Sequence, residues 1–236
     1  MNLILLNETE LTNGISCHDE RGQHILKVLK LKAGDSFKAG LLNVSVGLAT
    51  ITNIDGGIRF NYQATNKAEE PSLQPLPLIL VLGMVRPLVM RRLLRDMTAC
   101  GVKAIYIYNA ENGERGYETS SLWKDDSYLN DVKAGLMLAG TVIMPSIKRF
   151  NSLRSALNEA KANNVVAMHP LASRSTKELA QLSGLTALVI GNERGFTERE
   201  LMALNFFNAG QYTMGSRIVR TETACAMAMA LVIDRL

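Results

Sequence analysis

From Leu78 to the C-terminus, short apolar strand-like runs alternate with segments of helical periodicity. This alternation limits the fold more than any other feature of the chain. It implies a mostly parallel sheet covered by helices on both faces. LILVLGM (78–84) and AIYIY (104–108) are strands, and Pro87 stands where the first residue of a helix reaching about Cys100 would be. Further helices are expected over about 126–139 and 152–162, and further strands at VVAMH (165–169) and ALVIG (187–191). Thr197 and Glu200 form a T-x-x-E capping box for a helix through Phe207. A strand at Gln211–Met214 then leads to a helix from about Thr221, whose AMAMALVI stretch is apolar on every face. Such a helix belongs in a core or against a partner chain.

The first 66 residues have a different texture. LILL, the stretch 37–54 and IRFNYQAT are β-prone segments divided by Asn, Asp and Gly turn residues, with one short helix around 23–30. Short strands in series suggest a small barrel or sandwich. KAEEPSLQPLP (67–77) combines charge with closely spaced prolines and disfavours any regular element, so it marks a domain boundary. The expected division is a domain over 1–70, a linker over 71–77 and a second domain over 78–236. The three cysteines lack metal-ligand or disulfide spacing, so neither a metal site nor a disulfide framework is expected. The N-terminal MNLILLNETE has no basic leader, and the longest apolar run is about half a membrane span. These features suggest a soluble cytoplasmic protein without a membrane partner.

Net charge is +4, a mild excess that permits a nucleic-acid partner without requiring one. Some of it is concentrated in the helix after Pro87. Met90, Leu93, Leu94 and Met97 make one apolar stripe, and Arg91, Arg92 and Arg95 lie opposite, with Arg86 at the preceding strand end. These arginines are either a solvated face or contacts to an RNA backbone.

Two glycine-bearing turns carry the functional signal. Gly191-Asn-Glu-Arg-Gly-Phe-Thr follows a buried strand, yet it has neither the lysine of a Walker loop nor G-x-G-x-x-G spacing. Taken alone it is an ordinary tight turn. Met214-Gly-Ser-Arg-Ile-Val-Arg-Thr-Glu-Thr-Ala lies downstream, and the two turns are expected at adjacent strand ends as walls of one pocket. With few fixed charges, that pocket suits adenosine and a methionine moiety better than a triphosphate.

Together these motifs resemble the cofactor motifs of the bacterial 16S ribosomal RNA uridine-N3 methyltransferases, members of the SPOUT or trefoil-knot class. Typical members have Gly-Pro-Glu-Gly-Gly-Phe-Ser, then Leu-Gly-x-Arg-Ile-Leu-Arg-x-Glu-Thr-Ala. His24-Ile-Leu-Lys-Val-Leu-Lys, Ala33-Gly34-Asp35, the stretch 80–94 and His169-Pro170 extend the resemblance over essentially the whole chain. Departures are Asn192 and Arg194 for Pro and Gly, and Met137, Leu138 and Gly140 or Thr141 where Glu-Gln and Arg are usual.

The resemblance implies an α/β protein with an N-terminal PUA-like β-barrel that binds RNA and a C-terminal SPOUT trefoil-knot domain. S-adenosylmethionine would bind at a homodimer interface. Met168, His169, Ile190, Gly191, Glu193 and Gly195 would line it, completed by Met214, Gly215, Ile218, Val219 and Arg220. Arg220 and Glu222 are the catalytic candidates, and Arg86, Arg91, Arg92, Arg95 and Arg194 the RNA-binding ones. The partner would be ribosomal RNA or the small ribosomal subunit. A related enzyme acting elsewhere on RNA, or a diverged RNA-binding assembly protein, are the alternatives.

Overall fold

The computed structural model describes residues 2–236. It comprises two compact units: one is the chain up to Gln74 with Val132–Met144, the other Pro75–Asp131 with Pro145–Leu236. The grouping of Val132–Met144 with the N-terminal unit has no counterpart in a division drawn at residues 70 and 78.

In the first unit β1 (Ile4–Leu6) is followed by α1 (Glu8–Asn13), α2 (Glu20–Gln23) and a π-turn at His24–Val28. β2 (Ser36–Leu41), β3 (Ser45–Asn53) and β4 (Arg59–Lys67) complete a sheet ordered β1-β2-β3-β4, parallel only between β1 and β2. β3 alternates, burying Ala49 and Ile51 while Leu48 and Thr50 face out, which is the period-two pattern of a half-buried strand. Ile4 and Leu6 join Ile25, Phe37, Ile51 and Phe60 in the core, where Phe37 meets Phe60 edge-on at 5.7 Å. Leu3 and Leu5 point the other way and pack on Leu136, Met137 and Val142. LILL is therefore continuously apolar because both of its faces are covered. The same contact accounts for the apolar residue at Met137, whose carbonyl also accepts the Asn2 and Leu3 N–H groups.

The helix expected over 23–30 begins earlier, because the Asp19 side chain accepts the Arg21 N–H as an N-cap. Arg21 then binds Glu10 at 2.5 Å, Asp19 at 2.8 Å and the Leu5 carbonyl at 2.6 Å. The Arg21 guanidinium holds the Asp19 carboxyl below its ordinary range. Asp19's contribution is thus complete above the unfolded carboxyl's range and disappears as pH falls through the lower folded value. Arg21→Ala is expected to cost about 2 kcal/mol near pH 7, between an exposed and a fully buried pair. Urea unfolding should show the gap between variant and wild type narrowing as pH falls below the unfolded carboxyl's range.

In the second unit β5 (Leu76–Gly83), α3 (Pro87–Ala99), β6 (Val102–Tyr108), α4 (Tyr128–Ala139), β7 (Ser146–Phe150) and α5 (Leu153–Ala160) follow in order. Then come β8 (Asn164–Met168), β9 (Arg174–Ser175), β10 (Thr186–Ile190), α6 (Glu198–Phe206), β11 (Gly210–Thr213) and α7 (Thr221–Ile233). α4 starts in this unit and ends in the first. The expected parallel sheet is present, seven-stranded and parallel at every pairing, in the order β7-β6-β5-β10-β8-β11-β9.

β5 to β6 steps one way across the sheet and β7 to β8 the other, so right-handed crossovers put α3 and α5 on opposite faces. α5 and α6 cover Ile79, Val81, Tyr106 and Val189. α7 packs against α3 and β10. It buries Cys225, Ala228, Met229 and Val232, leaving Ala226, Met227, Ala230 and Ile233 as an exposed apolar face. No helix among the described residues is long and apolar enough to cross a membrane.

Candidate functional site

Parallel strands bring their carboxyl ends to one edge, so the chain segments that follow them share that edge. Register pairs Ile190 with both Leu82 and Met168, which sets Gly83, Gly191 and His169 at one level. The turns after β10 and β11 are not at adjacent strand ends, as the sequence suggested. Both sides of β10 are taken, by β5 and β8, and β11 pairs on the far side of β8. The residue between the two turns is His169, at the end of β8. Its N–H donates to the Tyr212 carbonyl of β11 at 2.9 Å, and its ring lies 5.9 Å from that of Phe196. Met168-His169, Gly191–Thr197 and the approach to Met214 are thereby drawn together. Partial burial pushes the His169 pKa below its ordinary value, because it disfavours the charged ring.

The Gly191–Thr197 loop is tightly fastened. Asn192 is buried, and its amide donates to Asn112 Oδ1 at 2.8 Å while its own Oδ1 accepts the Arg194 N–H. Asn112 donates in turn to the Gly195 carbonyl at 3.2 Å. Gly195 closes a turn onto the Asn192 carbonyl with φ +73°. The left-handed position therefore falls on glycine, and Arg194 fits the loop without it. The Arg194 guanidinium reaches the Asn112 carbonyl at 2.8 Å and Glu114 at 2.6 Å, so its charge is matched within the unit. Glu193 accepts the Arg86 N–H at 2.9 Å, tying the loop to the β5–α3 turn. Thr197 and Glu200 make the expected capping box at the start of α6.

The second turn is open by contrast. Gly215 has φ +126°, and Thr213 Oγ1 receives its N–H and donates to its carbonyl. Every residue from Gly215 to Arg220 is exposed, Ile218 to 88%. Arg220 is the N-cap residue of α7, through its carbonyl, with no side-chain cap bond. Glu222 is half-buried in the first turn, where a carboxylate answers the helix dipole. No ion pair joins Arg220 to Glu222 among the described residues, so the structure does not bring these two together.

The surroundings fit a ligand held mainly by backbone. The ideal Cβ positions of Gly195 and Gly215 look into open space, and the turns offer few paired charges. No group of three or more potential metal-binding side chains occurs among the described residues. The remaining arginines divide. Arg91 is half-buried and pairs with Asp131 at 2.8 Å, and Arg95 is near Asp96 at 3.3 Å. Arg86 and Arg92 are exposed on or beside α3. Gly83, Asn112 and Glu114 support the site without any local signal in the sequence.

Residues 72–233 match the RNA methyltransferase domain family. Two curated relatives align over nearly their full lengths. "Ribosomal RNA small subunit methyltransferase E 1" of Borreliella burgdorferi is 30% identical, over 100% of this chain and 99% of the relative. "Ribosomal RNA small subunit methyltransferase E" of Treponema pallidum is 33% identical, over 99% and 91% respectively. Among solved structures, a Neisseria gonorrhoeae ribosomal RNA small subunit methyltransferase E bound to S-adenosyl methionine superposes with TM-score 0.76. It is 19% identical, and the match covers 98% of this chain and 95% of that one. A Legionella pneumophila methyltransferase solved with bound SAM gives TM-score 0.74 at 22% identity, covering 91% and 89%. At those identities the structural likeness speaks for the fold.

Proposed function

Since the chain belongs to the RNA methyltransferase domain family, we propose that it transfers a methyl group from S-adenosylmethionine to N3 of a uridine in 16S ribosomal RNA of the small subunit. The observation that carries this reading is the meeting, at His169 just after β8, of the end of β11 through Tyr212 and the segment following β10 through Phe196. Met168, His169, Ile190, Gly191, Glu193 and Gly195 would hold the cofactor, with Met214, Gly215, Ile218, Val219 and Arg220 on the other side. S-adenosylmethionine supplies a methyl group on a positively charged sulfur, ready for displacement by an electron pair.

The protein's part is then to present uridine N3 in line and to favour loss of its proton. Arg220 would stabilise the negative charge that develops on the uracil oxygens. Glu222, half-buried in α7, would orient that end of the helix. His169 is a packing group between Tyr212 and Phe196 in this scheme, and not the base.

Finer features follow the same reading. The first unit would act as a PUA-like RNA-binding barrel and the second as a SPOUT domain, divided near 70–78. A trefoil knot is supported by the Leu182 N–H, between β9 and β10, which donates to the Arg235 carbonyl near the chain end at 2.7 Å. A homodimer would cover the exposed Met227 and Ile233 of α7 and Leu88 of α3. Arg86 and Arg92 are the candidates for RNA contact without an ion pair among the described residues, and the cytoplasm, where ribosomes are built, would be the site of action.

Calorimetric titration with S-adenosylmethionine is expected to show saturable binding. Mass spectrometry of ribosomal RNA should show one N3-methyluridine lost on deletion and restored on complementation. Absence of cofactor binding, or an unchanged uridine profile, would overturn the proposal.

A further inference from the structure

A separate recess of about 470 Å³ opens between α5 and α6, lined by Asn109, Glu111, Arg154, Arg199, Glu200 and Phe206, among others. None of the residues assigned to the cofactor or to methyl transfer lines it. Phe206 is 63% exposed and Met202, beside it, 66%. The Arg154 guanidinium lies 4.5 Å from the centre of the Phe206 ring. Unlike Arg91 and Arg194, neither Arg154 nor Arg199 has an acidic partner among the described residues. The acids within the recess are already engaged. Both Glu200 oxygens accept backbone N–H groups, from Thr197 at 2.9 Å and Glu111 at 3.2 Å, and Glu111 accepts the Thr197 hydroxyl at 2.8 Å.

We propose that this recess holds an unpaired nucleotide of the substrate RNA, its base against Phe206 and Met202 and its phosphates on Arg154 and Arg199. This rests on the RNA methyltransferase reading above. The two unpartnered cations complement phosphate, and an exposed ring already stacked by arginine is a platform that any base can use through its π-face. A duplex keeps its bases stacked inside, so the ring selects a single-stranded segment. α6 starts at the capping Thr197, where the cofactor loop ends, so the recess and that loop are built on one rigid element. A nucleotide held here would anchor RNA beside the reacting uridine.

The test uses the full chain and a labelled ten-nucleotide mixed-sequence single-stranded oligoribonucleotide, with binding followed by fluorescence anisotropy across a salt series. Arg154→Gln with Arg199→Gln is expected to flatten the slope of log affinity against log salt by about 1.4, from about 0.7 per phosphate contact. Phe206→Ala is expected to weaken binding about tenfold with the slope unchanged. All three side chains are exposed, so folding is not at stake, and S-adenosylmethionine affinity should stay as in the wild type. Wild-type affinity and slope in both variants would overturn the proposal. So would variants that bind the oligonucleotide normally but lose methylation of assembled subunits, since the face would then meet a ribosomal protein. If the wild type binds no S-adenosylmethionine, the enzyme reading fails while the salt slopes still decide the recess.

Discussion

Gly83→Ala is expected to lower S-adenosylmethionine affinity by at least about a hundredfold, because it displaces the loop that follows β10. Gly83 is the last residue of β5, flanked by β6 and β10. A Cβ there would lie 2.6 Å from the Asn192 nitrogen, 3.0 Å from the Gly191 carbonyl carbon and 3.2 Å from the Asn192 Cα. All of these are backbone atoms, so no rotamer change relieves the contact. Nor is the loop free to step back. Asn192 is bonded to Asn112, Arg194 to Asn112 and Glu114, and Glu193 to the Arg86 N–H. Overpacking of this kind also costs about 1–3 kcal/mol of stability. The variant should therefore melt earlier, yet fold well enough to titrate. Gly116→Ala is the matched control, since a Cβ at that position meets nothing within 4 Å. Calorimetry of the two variants separates the cases, and wild-type affinity in Gly83→Ala would show that the loop yields without disturbing the site.

Elements with strong local chemistry could be read from the sequence. Pro87 and the stripe Met90, Leu93, Leu94, Met97 set out α3, and all four stripe residues are buried. The Thr197–Glu200 box marked α6, and both of its reciprocal bonds are present. β7 leaves no signal in the sequence because Ser146–Phe150 is a half-exposed edge strand carrying Lys148 and Arg149, with no apolar run. α1 is not legible in the sequence although Asn7 and Glu10 form a capping box, since only six residues follow the cap and none is buried.

Strand order is not a local property: the turns after β10 and β11 look adjacent in the sequence, yet β8 separates them. The unusual Asn192 and Arg194 make sense only with Asn112 and Glu114, each 80 residues away. A loop usually kept by proline and glycine is here kept by two side-chain amides and an ion pair. Only a structure pairs those substitutions with their partners.

Arg220→Ala is expected to lower kcat by about 10²-fold or more, the loss that follows removal of one preorganised group opposite a developing oxyanion. The fold should hardly notice. Arg220 is exposed, it caps α7 through its carbonyl and not its side chain, and it has no ion pair among the described residues. Surface replacements of that kind stay within about 0.5 kcal/mol. The separation of Arg220 from Glu222 sharpens the expectation, because an arginine neutralised by its own helix would have little field left for the substrate. If Arg220 acts on charge, Arg220→Lys should recover part of the rate but not all, since lysine keeps the cation and loses the planar fork. The pH profile supplies the readout that a structural role would not move. Without the fixed cation, uridine must lose its N3 proton with less help, so the alanine variant should regain activity relative to wild type as pH rises and the base ionises unaided. A uniform loss at every pH, or a fall in cofactor affinity as large as the fall in kcat, would confine Arg220 to holding the cofactor and leave the oxyanion to another group.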